Sequence, residues 1–202
     1  MLTEHLFAHP LELQIWAVRV LPPNSFAWRK WLGFLAGLII RLVTWRRGGR
    51  YSHLLLRRGS VIWEATTAGV KQAFASTYDA PRFVVEAFAI PLLPNQTARI
   101  IAWVAQHAHA PYDWLQLVRI AAAELGYPDL AAMLPDGDTR RLVCSEFVAL
   151  AYKSAGIDIT CGRPLWRYTP DDIALAVLEG LAVPRGRVHW PDHRIQSPDG
   201  LS

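Results

Sequence analysis

Apart from one long helical stretch after the first strand, the apolar residues of this 202-residue chain pass from strand-like to helical spacing after Ile90, and that change limits what the chain can fold into. Up to Ile90 they gather in short runs rich in Val, Ile, Trp and Tyr, bounded by Gly and Pro, which is the pattern of strands. The runs are Leu13 to Val20, Arg50 to Arg57, Val61 to Thr66 and Arg82 to Ile90. Pro22-Pro23 stops the first, Arg58-Gly59-Ser60 turns the second into the third, a loop around Gly69 follows, and Pro91 closes the last. Between the first two strands a long helix is expected, capped by Asn24 or Ser25, running through Trp45 and ended by Gly48-Gly49. From Asn95 to His109 the spacing is helical, with Ile100, Ile101, Val104 and Ala108 on one side. Asp113 then caps a helix over Trp114 to Leu125. After a turn-rich linker, Gly126 to Arg141, a helix begins at Cys144 and ends at Gly156. Thr169-Pro170-Asp171-Asp172 supplies a cap, a first-position proline and first-turn acids for a last helix to about Leu178. Strands early and helices late predict an α+β fold rather than an alternating α/β one.

Length and composition suit one domain with a sizeable core, since 52% of the residues are hydrophobic and 19% charged. The expected boundaries are residues 11–182, with a helical insertion at about 25–47 and a loosely ordered tail at 183–202. A net charge of +4 favours anionic surroundings without choosing among them. No basic-aromatic platform accompanies it, and the nine tryptophans are spread through periodic segments, so nucleic acid is not an expected partner. The N-terminus has no basic region, apolar run and cleavage site of a secretory signal, which makes the cytoplasm the expected location. Trp31 to Trp45 is apolar except for Arg41 and flanked by basic residues. It is too short to span a bilayer but fits either a core helix or contact of residues 28–47 with a membrane surface.

The two cysteines, Cys144 and Cys161, show no zinc-binding spacing, so neither a metal nor a cofactor is expected. Two cysteines do not make a disulfide framework, and Cys161 reads as structural. Cys144 differs because Leu142-Val143 gives way there to a strongly helical run. Its sulfur then lies at a helix N-terminus, where unpaired N–H groups and the helix dipole favour the thiolate. Glu146, one turn in, supports that N-terminus, whereas His107 and His109 read as solvent-facing. Upstream, His53 and Glu64 lie on consecutive strands of the expected hairpin, about opposite one another. Thiol, imidazole and carboxylate are the parts of a nucleophilic cysteine enzyme. Taken singly, each has an ordinary structural explanation; the combination is what points to chemistry.

The order His, acid, then Cys in Cys144-Ser145-Glu146-Phe147-Val148 resembles the circularly permuted branch of NlpC-type papain-like cysteine hydrolases, specifically the YiiX-like group. Tyr51-Ser52-His53, Val61-Ile62-Trp63-Glu64-Ala65, Pro111-Tyr112-Asp113 and Tyr168-Thr169-Pro170-Asp171-Asp172 also match, over about Leu13 to Leu178. The resemblance implies a permuted papain-like fold, a small antiparallel sheet packed against helices with the nucleophile at a helix N-terminus. It implies Cys144 as nucleophile, His53 as base and Glu64 as the residue polarising His53, with Tyr51, Tyr112 and Thr169 lining the cleft. The implied activity is that of an amidase or peptidase acting through a thioester on a peptide or cell-wall-derived amide. A lipid-directed thioesterase or acyltransferase, or a non-catalytic binding module of the same fold, are the alternatives. A Gly-Asp pair common in the family's first strand is missing here, and Gln14 is the stand-in considered for the second oxyanion donor.

Overall fold

A computed structural model of the chain describes residues 12–20, 50–80, 83–134, 140–160, 168–180, 183–189 and 194–196. The expected helix at 25–47, its proposed membrane contact, and Cys161 lie outside the described residues. Among the described residues seven strands form one antiparallel sheet: β1 (Leu13–Val20), β2 (His53–Arg58), β3 (Val61–Thr66), β4 (Gly69–Phe74), β5 (Phe83–Ala89), β6 (Val183–His189) and β7 (Arg194–Gln196), in the order β4-β3-β2-β1-β5-β6-β7. After β5 the described residues hold five α-helices: α1 (Pro94–Gln106), α2 (Trp114–Glu124), α3 (Pro128–Met133), α4 (Cys144–Ser154) and α5 (Pro170–Gly180). The fold is α+β, as the spacing of the apolar residues predicts.

Both faces of the central strands are covered, which is why β1 and β2 read as continuous apolar runs rather than as alternating ones. Ile15, Ala17, Leu54 and Leu56 share one cluster with Ile100, Val104, Phe147, Val148, Tyr152, Ile173 and Val177 of the helices. Trp16, Val18, Leu55, Ile62, Val85 and Ala87 form a second, joined by Ala75 and Tyr78 of a short 3-10 turn, Ala75–Tyr78. Phe147 and Tyr152 are fully buried, and truncating such a ring in α4 costs about 3–5 kcal/mol.

Three departures from the expected elements matter. Gly69 does not sit in a loop but opens β4, with φ +96°, and a Cβ there would stand 2.7 Å from the Ala110 carbonyl oxygen. That close approach lets Val70 N–H donate to Ala110 O (2.8 Å) and His109 N–H donate to Val70 O (2.9 Å), docking the end of α1 on the sheet edge. The linker 126–141 contains α3, which begins at Pro128, a residue suited to a first helical turn. The residues expected as a loose tail extend the sheet instead. Val188 pairs with Val85 and Ile195, so the backbone of 183–189 finds its hydrogen bonds on β5 and β7.

Candidate functional site

The hairpin β2–β3 carries His53 and Glu64, but not directly opposite one another. Its loop is only Gly59-Ser60, with Gly59 at φ +61°, so Arg58 pairs with Val61 and Glu64 with Leu55. His53 precedes Leu55 by two and therefore shares its face, one diagonal step from Glu64, still within reach of long side chains. Nε2 of His53 meets Oε2 of Glu64 at 2.9 Å. The carboxylate is 2% exposed and the imidazole 15%.

Two partners missing from the sequence reading complete the carboxylate's surroundings. Tyr78 donates its hydroxyl to the same Oε2 at 2.5 Å, and Lys71 on β4, directly across from Glu64, places Nζ 3.3 Å from Oε1. Burial alone would lift the Glu64 pKa, but the His53 bond and charge, the Tyr78 hydroxyl and Lys71 bring it down to about 2. Cys144 also acts on the His53 titration. Burial works against the imidazolium, yet the bonds and charges of Cys144 and Glu64 outweigh it and raise His53 to about 10.

Cys144 is buried and is the first residue of α4. It is set there by a clip in which Tyr112 bridges Leu142 in parallel and Leu142 N–H donates to Pro111 O at 3.0 Å. Glu146 reaches back to Val143 N–H at 3.4 Å, the helix-supporting role its position predicts. Burial raises Glu146 to about 7, helped by the charge of Asp113 and opposed by the Val143 N–H and Arg119. Asp113 caps α2 by accepting from Gln116 N–H at 2.9 Å, as expected.

The three residues assigned to the cleft have different surroundings. Tyr112 is buried, packs edge-on against Trp114, and has its pKa raised by burial and by the negative charges of Cys144, Glu146 and Asp113. Its place beside Cys144 is the one nearest the chemistry. Tyr51 is buried with its hydroxyl donated to Glu86, and burial and that partner raise its pKa. Thr169 donates its hydroxyl to Asp172 Oδ2 at 2.7 Å and accepts from Asp172 N–H at 3.2 Å, a helix cap.

Asp171, unassigned by the sequence reading, ties α5 to the start of β2. Its Oδ1 accepts from Arg50 N–H at 2.6 Å and Tyr51 N–H at 3.0 Å, fixing the backbone just before His53. Gln14 is far from this site. It pairs with Arg57, four positions along β1 from Val18, the partner of His53, and thus about 13 Å away at strand rise. Its Oε1 accepts from Trp16 Nε1 and Arg57 Nη1, and its distance along β1 from the partner of His53 argues against it as an oxyanion donor. His109 is exposed, as expected, while His107 is partly buried, stacked on Trp103 with centroids 3.9 Å apart.

Among the described residues no group of three His, Cys, Asp or Glu side chains is arranged to hold a metal ion, and no helix is long and apolar enough to cross a membrane. No protein-family model matches the chain, and no curated protein matches it either.

Proposed function

We propose that the chain is a cysteine hydrolase of the permuted papain-like kind, acting on an amide through a thioester at Cys144. The observation that carries the reading is the His53–Glu64 pair, Nε2 to Oε2 at 2.9 Å, with the buried Cys144 at the start of α4 among the groups that raise the imidazole. In this reading the Cys144 proton resides on His53 and the sulfur attacks the carbonyl carbon, with the Cys144 N–H at the start of α4 turned to the developing oxyanion. His53 then protonates the leaving amine. Once the sulfur is acylated its charge is gone, and one of the causes raising His53 goes with it. The ring becomes a better base for the water that releases the acyl group.

A second reading, a thioesterase or acyltransferase for lipid-like acyl groups, draws on one specific observation. Trp114, which packs on Tyr112, is 48% exposed, and Leu115, Val118, Leu125, Tyr127, Leu130 and Met133 are exposed on the same pair of helices, α2 and α3, or at their ends. Mass spectrometry of Cys144 after incubation with p-nitrophenyl acetate, acyl-peptide amides and long-chain thioesters tests both. An acyl adduct on Cys144 that is absent in His53→Ala supports a hydrolase, and the preferred donor chooses between the two. No adduct from any donor rejects the enzyme reading and leaves the binding module.

A further inference from the structure

We propose that Tyr78 is a positioning residue for the His53–Glu64 pair, holding the carboxylate in line with the imidazole while drawing charge away from the oxygen that binds the ring. The inference rests on the reading of His53 as the base. Three contacts carry it. The Tyr78 hydroxyl donates to Oε2 of Glu64, the very atom that His53 Nε2 meets. The Tyr78 ring lies nearly parallel to the imidazole, with centroids 6.4 Å apart and planes 16° apart. The same ring packs on Phe83 of β5 at 4.7 Å, which holds it against rotation.

Sharing one oxygen between two donors has a definite electrostatic consequence. An O–H dipole pointing its positive end at Oε2 stabilises the carboxylate and at the same time weakens its hold on the imidazolium proton. Lys71 acts in the same direction from Oε1, but at 46% exposure its effect is screened. Glu64 from β3 and Cys144 from α4 act on His53 directly, while Lys71 from β4 and Tyr78 from the 3-10 turn act on Glu64 and through it on the ring. Without Tyr78, Glu64 would grip the ring more strongly and hinder it as a base in the water step. That step is the one in which the cysteine no longer carries charge.

The test is the His53 titration followed by imidazole 15N NMR in a Cys144→Ala background, where no sulfur contributes. Tyr78→Phe removes the donor, and 3-fluorotyrosine at position 78 keeps the ring while strengthening the donor. The expected order of midpoints is fluorotyrosine lowest, tyrosine next, phenylalanine highest, with Phe up by about half a unit or more. Coincident midpoints, or any other order, overturn the proposal, since a merely structural tyrosine would not move the two variants in opposite directions. The titration needs no turnover, so its outcome is separate from whether Cys144 forms an acyl adduct.

Discussion

Glu64 on β3 and Glu146 on α4 are two carboxylates largely withdrawn from water, and they end at opposite ends of the carboxyl range. Glu64 is held at about 2 and Glu146 is pushed to about 7. Burial raises both. What separates them is the number of donors: Glu64 has an imidazole, a phenol and an ammonium, whereas Glu146 has one backbone N–H at 3.4 Å and an acidic neighbour in Asp113. The strand pair is built to keep a charge, and the helix start is built to shed one.

The sharpest way to break this contrast is to delete the strand carboxylate. Glu64→Ala leaves His53 and Tyr78 without their acceptor and is expected to lower unfolding stability by about 2–3 kcal/mol, read from urea melts at pH 6. Glu64→Gln keeps the shape but removes the charge. Its expected effect is a His53 midpoint that falls from about 10 toward the ordinary 6.5, seen by 15N NMR. At the helix start the sign reverses: Glu146→Gln should stabilise the protein by about 1 kcal/mol at pH 8 and leave it unchanged at pH 4, where the native carboxyl is already neutral. Lys71→Met is the smallest, below about 0.5 kcal/mol in melts at physiological salt, because half-exposed ion pairs are screened.

Three groups, Glu64, His53 and Glu146, set the pH trend in stability. A lowered carboxyl contributes in full above its ordinary value, so the stabilisation from Glu64 is complete above 4.5 and lost as pH falls toward 2. A raised imidazole contributes in full below its ordinary value, so the stabilisation from His53 is complete below 6.5 and lost as pH rises through about 10. Glu146, raised from 4.5 to about 7, makes the native state lose stability as pH rises across that range. Stability should therefore peak near pH 5 in melts of the parent and shift its peak toward neutrality in Glu146→Gln.

The hairpin, the Cys144 helix start and both helix caps, Asp113 and Thr169, were legible because each depends on local spacing and on side chains that bond within a few residues. The register was not. A two-residue loop instead of a three-residue one changes which residues face each other, and letters alone do not count loop residues. Lys71 was hidden because β4 starts at a glycine whose need arises from a backbone 41 positions away, at Ala110. Tyr78 sits in a single 3-10 turn, which has no periodicity to reveal it, and Asp171 acts across 120 positions. The strands after residue 182 are short and polar, and their pairing with β5 is a tertiary decision.

The most direct test of the central claim is the rate of Cys144 alkylation by iodoacetamide from pH 5 to 10, in the parent and in His53→Ala. The parent should react clearly faster than an ordinary free thiol near neutral pH, and His53→Ala should lower that rate at least about tenfold. Parent and variant rates that rise together only through the range of an ordinary free thiol would contradict the claim.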